Sequence, residues 1–107
     1  MREFPEADWK VFRRLRAVAL ERFCEQILRQ VVSTCSDPSK SSHERYLSIW
    51  RLLQKHDKQL ADAFNNPRRS DAFPQLTLMF SLGLVDAQEL QKFTPDTQNM
   101  IKMLMGL

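Results

Sequence analysis

Glycine is nearly missing from this chain: among 107 residues only Gly83 and Gly106 carry no side chain. Phosphate-cradling loops, dinucleotide-binding turns, calcium loops and most tight β-hairpins all need glycine at fixed places, so those chemistries are excluded. Cysteine is equally scarce. Cys24 and Cys35 fall in one helical pattern, about 16 Å apart along its axis; no disulfide spans that, and two free thiols are expected. Long apolar runs are missing too. The longest, Leu76 to Val85, includes Thr77, Ser81 and Gly83 and is too short to cross a bilayer. The start, Met1, Arg2, Glu3, is charged and mixed rather than an apolar leader. Together with the unpaired thiols it reads as a cytoplasmic protein without a membrane partner.

What is present has the balance of a globular domain, with 43% hydrophobic and 27% charged residues. A chain of this length supports one core and not two, so residues 1–107 are read as a single domain that buries about two-thirds of its surface on folding. The net charge of +3 is too mild to name a polyanionic partner. Its distribution is uneven: residues 1–69 hold 14 Lys and Arg against 9 Asp and Glu, and residues 70–107 hold 2 against 4. The positive field belongs to the first two-thirds.

Apolar residues recur at three and four positions throughout, and no segment alternates with period two. A first helix opens at Pro5 with Glu6 and Asp8 complementing its exposed amides, and runs to about Thr34 before Ser36, Asp37 and Pro38. A second starts at Ser41, three residues before Glu44 in capping-box spacing, and runs to Phe64, closed by Asn65, Asn66 and Pro67. The polar interlude from Gln54 to Gln59 is read as part of that helix, with His56 on its polar face. Three short helices follow: one from Ser70 and Asp71 to Gly83, one opened by Asp86 and Glu89, and one from Thr94 and Pro95 to near Gly106. The expected fold is all-α, a small bundle of two long helices followed by three short ones.

Catalytic and metal signatures are weak. His43 and His56 lie about 20 Å apart on one helix and have no Cys or His at ligand spacing, so no metal and no cofactor is expected. Cys24 lies on the apolar stripe as a small hydrophobe, and Cys35, at a helix end, is the more accessible thiol. Glu21 and Glu25 have ordinary surface neighbours in Arg22 and Arg29. The chain is read as a non-enzyme.

The first helix carries the main functional signal. Its apolar stripe follows Phe12, Leu15 and Ala19, then turns by roughly a quarter of the circumference to follow Phe23, Ile27 and Val31. One helix thus serves two packing partners. At about 42 Å it is longer than a domain of this size covers, so it either bends near residues 16–20 or overhangs. An overhanging amino end would expose Trp9, Phe12, Leu15 and Ala19, which are therefore the predicted contact set of a self-associating adaptor or regulatory subunit. The alternative is a nucleic-acid phosphate binder. It would use Lys10, Arg13, Arg14 and Arg16, joined by Arg45 and Arg51 if the long helices pack antiparallel, with Arg68 and Arg69 as a further anion site or as caps on the second helix. The methionine-rich tail from Met100 to Leu107 is read as core closure.

Overall fold

Five α-helices follow one another in the computed structural model, which describes residues 4–65 and 68–106, and no strand occurs among those residues. α1 spans Glu6–Cys35 and α2 spans Ser42–Phe64. After a 3-10 turn at Arg69–Asp71 come α3 (Ala72–Ser81), α4 (Ala87–Leu90) and α5 (Pro95–Leu104). The expected order of two long and three short helices is the one adopted. Met1 to Glu3, Asn66 with Pro67, and Leu107 lie outside the described residues.

The boundaries follow local chemistry. Ser41 Oγ accepts the Glu44 amide at 3.1 Å and starts α2. At α4 both halves of a capping box form: Asp86 Oδ1 accepts the Glu89 amide at 2.7 Å, and Glu89 Oε1 accepts the Asp86 amide at 3.1 Å. Gly83 ends the α3 segment with φ +73°, a conformation that a side chain resists. Between α1 and α2, Asp37 accepts from the Ser39 amide at 3.0 Å and the Ser39 hydroxyl at 2.6 Å, which tightens the turn. That hydroxyl bond, with the amide bond behind it, holds the Asp37 carboxyl below its ordinary pKa.

α2 is unbroken through Gln54–Gln59. His56 does not lie on a polar face. Antiparallel packing turns it toward α1, where its half-buried ring meets Phe23 edge-on at 6.1 Å and its Nδ1 sits 2.8 Å from Gln59 Oε1.

The core sits at one end of the molecule. Phe12, Leu15 and Ala19 of α1 meet Leu76 and Met79 of α3, Leu84, Phe93, Ile101 of α5 and the end of α2 at Ala63 and Phe64. The ring of Phe4 packs edge-on against Phe12, Phe73 and Phe93 within this head.

Two polar clasps tie α1 to the last helices. The carboxylate of Asp8, 1% exposed, accepts the Thr94 amide at 2.8 Å, the Thr94 hydroxyl at 2.7 Å and the Thr97 hydroxyl at 2.6 Å. It caps α5 from 86 residues away, in place of the Thr94 side chain, which donates instead of accepting. Arg22 makes a bidentate pair with Glu89 at 2.7 and 3.1 Å and donates to the Leu84 carbonyl at 2.9 Å. The hydrogen bond from Arg22 holds Glu89 below the usual carboxylate range, and the same bond raises Arg22.

Candidate functional site

Beyond the head, α1 and α2 continue alone as an antiparallel hairpin in a molecule 52 Å long and 25 Å across. Arg16 of α1 donates to the Phe64 carbonyl at one end of the pair, and Arg45 donates to the Cys35 carbonyl at 2.9 Å at the other. Each arginine thereby caps the carboxyl end of the opposite helix. No side chain from Leu28 to Asp62 is fully buried. Val31, Ile49, Leu52 and His56 are half-buried along the seam between the helices, and among the described residues no third layer covers them.

One face of this hairpin is apolar and open. Leu28 is 60% exposed, Val32 64%, Tyr46 66%, Trp50 52% and Leu53 48%. On α1, Cys24, Leu28, Val32 and Cys35 fall within an arc of about 80° at 100° per residue. On α2, Tyr46, Trp50 and Leu53 do the same within about 60°. A groove of about 320 Å³ lined by Cys24, Ile27 and Leu28 of α1 and by Leu53, Asp57 and Leu60 of α2 joins the two stripes. They therefore share one face. Cys24 and His56 both line this groove, yet no hydrogen bond joins them among the described residues, and His56 Nδ1 is engaged with Gln59. Both thiols are free and exposed, so Cys24 is not the small core hydrophobe that its position in the stripe suggested.

The predicted contact set is corrected by this arrangement. Phe12, Leu15 and Ala19 are buried by the chain's own head, and Trp9 is half-buried, stacked on Phe12 at 5.5 Å beneath the Arg69 guanidinium. The helix does overhang, but at its carboxyl half: α3, α4 and α5 dock on the amino half and leave residues beyond Ile27 with α2 alone. The quarter turn of the stripe marks the point where the partner changes from head to α2.

The predicted basic residues do not form one surface. Lys10, Arg13 and Arg14 are exposed around a shallow depression of about 370 Å³ at the head end. Arg16 is spent on the Phe64 carbonyl and Arg45 on the Cys35 carbonyl. Arg68 pairs with Asp71 at 3.3 Å, and Arg69 pairs with Glu6. Arg51 lies on the hairpin, about 24 Å along the bundle from Arg13, because the antiparallel register carries the first half of α2 away from the first half of α1. Sequence reasoning missed Asp8 as a distant cap and missed the outer stripe of α2. Spacing at i, i+4 and i+7 was the available signal for that stripe, but it resembles a core face.

Among the described residues no group of three His, Cys, Asp or Glu gathers as metal ligands, and no helix is long and apolar enough to cross a membrane. Compared with protein families, curated proteins and solved structures, the chain matches none.

Proposed function

We propose that this chain is a non-catalytic, cytoplasmic protein-association module that self-associates through the open face of the α1–α2 hairpin. The observation that carries this reading is a stretch of 35 residues, 28–62, without a buried side chain and with five large apolar side chains about half exposed or more. An antiparallel helix pair needs a further layer to shelter both its faces. Scaled by their exposures, the five side chains leave on the order of 600 Å² uncovered, the upper end of patch sizes on monomers and close to the ~800 Å² per partner of a standard interface. A second copy supplies such a face at equal length, and two hairpins stacked face to face make a four-helix bundle.

The test is light scattering on the eluting protein over a range of concentrations. The expected mass is twice 12.6 kDa. A mass of one chain at every concentration overturns the reading. The phosphate-binding alternative rests on Lys10, Arg13 and Arg14, and a low-salt titration with random duplex separates it from self-association.

A further inference from the structure

We infer that the two copies meet antiparallel about a two-fold axis through Trp50, so that Cys24 of each copy faces Cys35 of the other. This inference rests on the self-association reading above and adds to it an orientation and a register.

The register of the hairpin sets the level of every residue. Phe23 lies level with His56 and Cys35 with Arg45, so residue 30 of α1 lies level with Trp50 of α2. Both open stripes are centred there: Leu28 and Val32 sit two residues either side of position 30, and Tyr46 and Leu53 flank Trp50. A two-fold axis across the hairpin at that level stacks α1 on α1 and α2 on α2, each pair antiparallel. Leu28 then opposes Val32 of the second copy, and the reverse, while the two Trp50 side chains meet at the axis.

Charge and space agree with this placement. His43 and Asp57 lie seven residues before and after Trp50, within about 20° of its direction on α2, so each His43 comes beside Asp57 of the other copy. Stacking α1 on α2 would instead set His43 level with residue 37 and Asp57 level with residue 23 of the second copy. The groove beside Leu28 and Leu53 receives Val32 and Tyr46 of the second copy. The turn at residues 36–41 of that copy comes to the level of Phe23, the edge of the head marked by the Arg22–Glu89 clasp, and stops there without running into it.

The thiols make the arrangement specific. Cys24 and Cys35 are both exposed on the same arc of α1 as Leu28, and position 30 lies midway between them to within half a residue. Two-fold stacking about that level brings each Cys24 opposite Cys35 of the second copy, twice per dimer. The other face-to-face stacking, α1 on α2, sets Cys24 opposite residues 56 and 57, where no thiol is present.

The experiment uses Cys24→Ser and Cys35→Ser variants of the full chain and a short bis-maleimide, which joins two thiols by adding each sulfur across one maleimide double bond. Within one chain the two thiols lie about 16 Å apart along the helix, too far for the short reagent. The variants are mixed in urea, refolded together and reacted, and helicity is checked by circular dichroism. Covalent dimer is expected from wild type and from the mixture, and is lost in either variant alone. Covalent dimer from one variant alone at the yield of the mixture overturns the register. So does its absence from a mixture that light scattering shows to be dimeric, and in both cases self-association itself stands. A monomeric mass for wild type overturns both.

Discussion

Replacing Asp8 by alanine removes a cap that the last helix receives from the first turn of the chain. The carboxylate accepts three hydrogen bonds of 2.6 to 2.8 Å from Thr94 and Thr97 and is 1% exposed, so water does not replace it. Losing this cap leaves an amide and two hydroxyls without their acceptor, at about 1–3 kcal/mol for each group left unsatisfied. Relief of the desolvated charge offsets part of that, and about 3 kcal/mol is the expected net loss. For a domain of this size, this lowers the melting temperature by about 10–15 °C at fixed protein concentration. Asp8→Asn keeps the shape and one acceptor for the Thr94 amide but turns an NH2 toward the hydroxyls, so it should fall between wild type and Asp8→Ala. Glu25→Ala, which removes the exposed partner of Arg29, serves as the control and should change stability by under ~0.5 kcal/mol. Thermal melts followed by far-ultraviolet circular dichroism read all four proteins. If Asp8→Ala melts within about 2 °C of wild type, or Asp8→Asn melts above it, burial of the charge outweighs the three bonds and the reasoning fails.

Two further perturbations follow from the head. Because its bond with Arg22 lowers the folded pKa of Glu89, the unfolded chain takes up the proton first. The stabilisation is whole above the ordinary glutamate value of ~4.3 and is lost as pH falls through the lower folded value. Urea midpoints of wild type and Glu89→Gln should therefore converge on acidification, and a gap that stays constant from neutral to acid pH contradicts this. Gly83→Ala meets no neighbouring atom but is strained at φ +73°, and should cost about 1 kcal/mol in a thermal melt; a gain in stability would show that the turn relaxes at little cost.

Much of the fold was legible in the chain because its signals are local. Ser41 with Glu44, Asp86 with Glu89, Pro95 and Gly83 each act within one helical turn, and each stands at a helix boundary. The turning stripe of α1 was legible too, as a change of packing partner. Which half would overhang was not, since that depends on where α3 to α5 dock, a matter of contacts between residues far apart in sequence. For the same reason Asp8 read as a first-turn charge although it serves Thr94 and Thr97. In α2 the inner seam of Ile49, Leu52 and His56 and the outer stripe of Tyr46, Trp50 and Leu53 interleave along one helix. Periodicity finds both as one broad apolar face and assigns neither to water. The basic residues scattered because a hairpin sets the start of one helix beside the end of the other.

The hairpin face is tested most directly by the mass of a Leu28→Glu, Trp50→Glu double variant. It is measured by light scattering at a concentration where wild type has twice the mass of one chain. Both positions are exposed, so helicity and the cooperative melt of the head should persist while the mass falls to 12.6 kDa. A folded double variant that keeps the doubled mass would contradict the account.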